Sequence, residues 1–176
     1  YDDLARLIQW PVLPAVVFLV IGGSLMGFTI YMRLLRDWGA FRALFTPGIR
    51  LDYGSIGSVV GAISADEWTS RCRALEGFAS TAHRLHNIRA TVDGDRATVT
   101  SIVDAAHFVE VSGEMCMGDL IGRYTHHLLR ENGWKIAGVD LAVTAYPAGK
   151  AAFDAVFAAA RAKHAARASH SERQAR

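Results

Sequence analysis

Apolar residues run through this chain in three rhythms. From Pro11 to Met32 there is none, because 22 consecutive positions carry no charge. A membrane-crossing helix needs about 20 apolar residues. Trp10 and Tyr31 stand near the ends of the stretch, where aromatic belts occur. Gly23 and Gly27 have the small-xxx-small spacing that lets helices approach closely in lipid. Arg33, Arg36 and Arg42 follow it, and Asp2, Asp3 and Arg6 precede it, so the positive-inside tendency puts the rest of the chain on the cytoplasmic side. Three readings stay open: a membrane span, a helix buried in a core or oligomer interface, and a cleaved signal. Only Ser24 and Thr29 interrupt the apolar surface, whereas a soluble helix usually keeps a polar stripe. Against a signal, no basic start precedes the stretch and no small-residue cleavage site follows it. Residues 1–33 are thus expected to form an apolar N-terminal helix, and the opening Tyr1 points to a fragment or a processed product.

The second rhythm is helical. Leu34, Leu35, Trp38, Phe41, Leu44 and Phe45 recur at three and four, and Pro47-Gly48 stops the pattern. Ser64 with Glu67 three residues on forms a capping box, which predicts a helix to about Phe78. Ala151 to His164 is alanine-rich with Phe153, Val156 and Phe157 on one face. The third rhythm is alternation. It predicts strands at Ile49–Tyr53, His83–Val92, Arg96–Val111, Asp119–Arg130 and Trp134–Tyr146. Asp93-Gly94 and Glu131-Asn132-Gly133 mark turns, Gly54 to Gly61 reads as a loop, and Pro147-Ala148-Gly149 ends the sheet. Helices followed by a run of long strands give an α+β fold, a curved antiparallel sheet wrapped on helices over residues 34–164. Residues 165–176 read as a polar, frayed tail.

Composition adds little beyond feasibility. Half of the residues are hydrophobic, 51%, which is ample for a core. The net charge of +2 hides no basic face interleaved with aromatics, so no nucleic-acid partner is expected. Cys72 and Cys116 are far apart and read as free thiols. His83 and His86, three apart on a strand, face opposite ways, as do His126 and His127, so no metal site is expected. No phosphate-cradling glycine loop and no nucleophile elbow occurs, and no cofactor is expected.

The residues that carry chemistry are histidines and tyrosines. His83 and His107 fall on neighbouring strands joined by a hairpin, and His107 shares its strand face with Val99, Val103, Ala105 and Val109. Burial on that apolar face keeps an imidazole neutral, which is the form a general base needs. The other reading is a pair of core histidines satisfied by hydrogen bonds. Tyr53 and Tyr124 could donate to a ligand carbonyl or simply be amphipathic side chains at the mouth. Asp104, three before His107, faces away, and the face of Asp140 cannot be assigned.

Several pieces together resemble the SnoaL-like domain family, and scytalone dehydratases in particular. They are Arg36-Asp37-Trp38, Phe45-Thr46-Pro47, Ile49-Arg50-Leu51-Asp52-Tyr53, Thr81-Ala82-His83, the Asp93-Gly94-Asp95 hairpin with His107 beyond it, Gly122-Arg123-Tyr124 and Gly133-Trp134-Lys135-Ile136. The resemblance implies a cone fold and a cofactor-free lyase or isomerase acting on a small, mostly apolar cyclic ligand. The alternative is a non-catalytic, membrane-tethered binding or assembly module. The resemblance places the catalytic roles on His83, His107 and Tyr53, with Tyr124, Trp38, Val103 and Phe108 lining the ligand. The resemblance also implies a homodimer, and the charge pattern places the domain on the cytoplasmic side, anchored there if residues 11–32 cross a membrane. The chain departs from the pattern at Arg33, where a second tyrosine would stand, and at Leu34, where an acid would stand. It departs again near Gly122 and Tyr124, the places of a serine and an asparagine.

Overall fold

Four long strands joined by tight turns make up most of the domain: β3 (Ser80–Asp93), β4 (Arg96–Val111), β5 (Glu114–Arg130) and β6 (Trp134–Ala145). They precede one long helix, here called α3 (Lys150–Gln174). The computed structural model describes residues 38–174. The chain divides into two compact units, Tyr1–Phe41 and Arg42–Arg176, and the second is the cone domain. The apolar stretch 11–32 lies outside the described residues. No helix among the described residues is long and apolar enough to cross a membrane.

Helix α1 (Trp38–Arg42) ends three residues before the expected Phe45, because β1 (Phe45–Asp52) begins there. Pro47 lacks a donor for a regular ladder and is tolerated at an irregularity. The β1–β6 pairing does shift register between Phe45 and Arg50. There the Thr46 hydroxyl donates to Gly48 O at 2.6 Å and reaches Ile136 O at 3.3 Å. The expected loop after β1 holds a 3-10 turn (Gly54–Ile56) and an edge strand, β2 (Val60–Ser64). Ser64 caps α2 (Ala65–Cys72) by accepting from Glu67 N at 3.0 Å. The helix gives way to a 3-10 turn (Arg73–Gly77) before the expected end at Phe78. That turn lies against α3 so closely that a Cβ at Gly77 would sit 1.9 Å from Ala160 O.

The sheet order is β2-β1-β6-β5-β4-β3. Every neighbouring pair is antiparallel except β1 with β6, which run parallel. The sheet is therefore mixed, which corrects the expected all-antiparallel sheet. All three turns that join the long strands use left-handed backbone, Asn132 (φ +54) and Gly133 (φ +111) serving between β5 and β6. Gly94 has φ +56 at the first loop position after β3. Ser112 (φ +53) and Gly113 (φ +85) join β4 to β5, so β5 starts five residues before the expected Asp119. The β3–β4 ladder shifts register between His86 and Arg89, where Asn87 has φ +51.

Alternation sorts the sheet into two faces. The outer face carries the charged residues, as in the pairs Arg84–Asp104 at 2.8 Å and Arg50–Asp140 at 2.9 Å. The inner face carries the core. Val103, Ala105, Leu120 and Leu141 pack with Phe153 of α3, and Val109 packs with Phe78, Val156 and Ala160. Helix α3 runs ten residues past the expected His164, through what reads in the sequence as a tail. Alanine is the best helix former, and Arg167 ties the extension down by donating to Glu76 O at 2.6 Å.

Candidate functional site

The β3–β4 register sets His83 opposite Ala105 and His107 opposite Thr81, so the two histidines are diagonal neighbours on the inner face. Their Nε2 atoms are 3.0 Å apart, and His107 Nδ1 lies 3.3 Å from Gly118 O on β5. Gly118 stands opposite His107 in the β4–β5 ladder. A Cβ there would come within 2.9 Å of Phe153 Cα, so glycine is what lets α3 lie on this part of the sheet. The His107 ring is walled by Phe78, Phe153 and Phe157, with centroids at 5.2, 6.0 and 4.7 Å. His107 is 3% exposed. Burial, and then the neighbouring His83, lower its pKa to about 4, although the Gly118 carbonyl works weakly the other way. His83 lies on the edge strand and is open as a residue, yet its ring turns inward to His107. Burial of that ring lowers its pKa as well. Both imidazoles are therefore neutral near pH 7.

A second cluster occupies the same face farther along. Tyr53 follows β1, and the adjoining turn is fixed to β6 by Ser55 Oγ donating to Leu141 O at 2.6 Å. The Tyr53 and Tyr124 rings are neighbours, with centroids 6.5 Å apart. Trp68 of α2 lies 5.2 Å from the Tyr53 ring, and His126 lies 5.4 Å from the Tyr124 ring. Burial raises the pKa of both phenols and pushes the nearby Cys72 thiol up to about 12. Burial lowers that of His126, with His127 adding to the effect. The arrangement offers neutral bases at one end and un-ionised donors at the other.

Residues 31–140 match the SnoaL-like domain family. The chain belongs to that family. No curated protein matches it. Among solved structures it is similar to the Kfla4162 protein of Kribbella flavida, with TM-score 0.61 and 21% identity over 68% of this chain and 85% of that one. It is also similar to a candidate scytalone dehydratase from Novosphingobium aromaticivorans, with TM-score 0.52 and 23% identity over 70% and 87% of the two chains. A candidate dehydratase of the NTF2-like family from Streptomyces avermitilis has TM-score 0.54 and 18% identity over 71% and 95%. At these identities the likeness is one of fold.

Within this SnoaL-like domain the expected site residues are distributed unevenly. His83 and His107 meet, and Tyr53 and Tyr124 meet, but the two pairs do not touch. Tyr124 is opposite Ser101, four residues along β4 from the Ala105 that faces His83. At about 3.3 Å per residue this is a separation of ~13 Å along the strand. Val103 lies between them, fully buried in the core cluster. Phe108 does not line this face. The β4 ladder is regular from Arg96 to Val111, so Phe108, one residue after His107, points to the outer side, beside Met117. Trp38 belongs to the first compact unit, where its ring meets Phe41 edge-on at 5.6 Å. Asp140 also faces outward, bonded to Arg50 and, at 2.8 Å, to His127 Nε2. Among the described residues no carboxylate bonds to either His83 or His107.

The SnoaL-like domain also uses residues that the sequence reading left aside. Gly118 fixes His107, the phenyl rings of Phe78, Phe153 and Phe157 enclose it, and Trp68 with His126 extends the tyrosine cluster. Gly118 had a signal, since a glycine inside an alternating strand marks close backbone approach. Phe153 and Phe157 had one too, lying four apart on one helix face.

Proposed function

We propose that this domain is a cofactor-free acid/base catalyst of the lyase or isomerase type, moving a proton on a small, mostly apolar cyclic ligand. The reaction class spans dehydration, cyclisation and double-bond shift. The observation that carries this reading is the pair of neutral imidazoles at 3.0 Å beside the apolar side chains of Phe78, Val109, Phe153 and Phe157. A neutral imidazole takes a proton beside a carbonyl without first losing one of its own. The un-ionised phenols of Tyr53 and Tyr124 supply hydrogen bonds to the oxygen where charge develops. The dehydratase names of two structural neighbours support the class. A homodimer is part of the proposal, supported by the exposed Met115, Met117 and Ile121 on the outer sheet face. So is attachment to the inner face of a membrane through residues 11–32, which the uncharged sequence supports.

A second reading has a specific observation behind it. No described carboxylate touches either histidine, so a binding module with structural histidines fits the same fold. One experiment separates the two. The full chain is incubated with 2-tetralone, a bicyclic ketone, in D2O, and exchange of the protons beside the carbonyl is followed by NMR. The expected result is accelerated exchange that falls by about a hundredfold or more in both His83→Ala and His107→Ala, in line with typical general-base losses. Equal exchange in wild type and both variants, with the ketone still bound, establishes the binding module instead.

A further inference from the structure

We infer that the far part of helix α3 carries a cationic face that docks on an anionic lipid surface. The inference deepens the membrane attachment proposed for residues 11–32, and it is tested apart from it.

Charge is divided unevenly in this chain. Residues 38–160 hold eleven Lys and Arg against thirteen Asp and Glu, a net of −2. Residues 161–176 hold five against one, a net of +4. The body neutralises its cations locally, since Arg42, Arg50, Arg71, Arg84, Arg130 and Lys150 each stand beside a carboxylate. Among the described residues Lys163, Arg167 and Arg173 have no such partner. Arg167 donates to the Glu76 carbonyl and Arg173 to Ser169 Oγ.

Helical spacing gathers these cations on one side. Val156 and Ala160 seat α3 on the cone, packed with Phe78 and Val109. Continued at three and four, the same side of the helix carries Lys163, Arg167, His170 and Arg173. Arg167, His170 and Arg173 are exposed, and Lys163 is half-buried. Where the packing ends, the seam turns basic. Nothing apolar larger than alanine follows Phe157, so this face has no means of burying itself in a core or among acyl chains. What remains to it is attraction to fixed negative charge. Single-stranded nucleic acid is held by aromatics that stack its bases, and none follows Phe157. A layer of anionic headgroups asks only for cations held near it. The uncharged run from Pro11 to Met32 gives the same chain a reason to lie beside a bilayer.

The test is flotation of the full chain with vesicles of phosphatidylcholine, alone or mixed with phosphatidylglycerol. Wild type should prefer the anionic vesicles. Lys163→Gln with Arg173→Gln should lower that preference by about tenfold or more. Salt at about 1 M should erase it, because screening then acts within about 3 Å. Glutamine matches lysine and arginine as a helix former, and this variant leaves Arg167 on Glu76. A control of equal net charge, Arg161→Gln with Arg89→Gln, lies off the stripe and should leave the preference nearly intact. Equal preference in wild type and the Lys163/Arg173 variant overturns the inference. So does an equal loss in the control, which would reduce the effect to net charge. A second measurement needs no variant: anionic vesicles should slow tryptic cleavage after Lys163 and Arg173 relative to neutral ones, and equal cleavage also overturns the inference. If polyuridylate at equal phosphate concentration strips wild type from anionic vesicles, the partner is nucleic acid and the lipid assignment fails. If neutral vesicles do not carry the chain while the anionic preference persists, attachment through residues 11–32 fails and this inference stands.

Discussion

The two ends of the inner face hold similar polar groups in opposite chemical positions. At the histidine end, burial destabilises the protonated imidazole and pulls the pKa of both His83 and His107 down. At the tyrosine end, burial destabilises the phenolate and drives the pKa of both Tyr53 and Tyr124 up. One physical cause acts in two directions, because an imidazole is charged when protonated and a phenol when deprotonated. The result is a face whose ionisable groups are all neutral near pH 7, with acceptors at one end and donors at the other. The ends also differ in how they are held. The histidine end is closed by the phenyl rings of α3 and the turn before β3, whereas the tyrosine end is held by ring contacts of Tyr53 with Tyr124 and Trp68.

The sharpest way to break this contrast is to remove the helix's contribution. Phe153 is 2% exposed and packs on both His107 and the core cluster. Phe153→Ala should cost about 3–5 kcal/mol in urea unfolding, and the free His107 ring should then titrate nearer the ordinary imidazole range. A smaller effect comes from pH. The folded state holds His107 near pKa 4, below the ordinary 6.5 that the unfolded chain shows, so between these values the unfolded state binds more protons. Stability therefore rises with pH through this window and is fully present above about pH 6.5. On acidification it should fall by an amount approaching about 3 kcal/mol by pH 4. Carboxylates titrate in the same range, so the measurement is the difference between wild type and His107→Asn, which should lack this component. The smallest effect belongs to the other end. Tyr53→Phe removes one hydroxyl beside Tyr124 and should cost about 0.5–1.5 kcal/mol in the same unfolding experiment. A loss as large as that of Phe153→Ala would mean that the tyrosine end, not α3, organises the domain.

What the sequence disclosed about this domain was mostly local. Strand β4 is legible residue by residue, since alternation from Arg96 to Val111 persists without a bulge. The Ser64 cap is legible because its partner Glu67 is one turn away. The meeting of His83 and His107 is less so: counted back from the Asp93–Arg96 pair, His83 would stand opposite Ala106 on the outer face, and only the one-residue register shift between His86 and Arg89 turns it inward opposite Ala105. The features that were not legible depend on distant partners. The parallel β1–β6 pair joins residues some ninety positions apart, as in Arg50 with Gly138. The enclosure of His107 needs phenylalanines from α3, whose approach is decided by the bare backbone at Gly77 and Gly118. The helical extension beyond His164 has scattered charges and alanines, so it shows no apolar stripe to read. The gap between the histidine and tyrosine pairs is likewise a matter of β-ladder register, which no single segment encodes.

The irregularity at Asn87 has a further consequence for the outermost strand. Among the described residues β3 has one neighbour only, so its other side presents amide and carbonyl groups that could recruit a foreign chain. Leu85, Ile88 and Val92 on that strand are exposed and would make such recruitment adhesive. The left-handed residue between His86 and Arg89 interrupts the straight row of hydrogen-bonding groups at its middle. No long flat template is left for fibril-like stacking, and the sheet ends where it does.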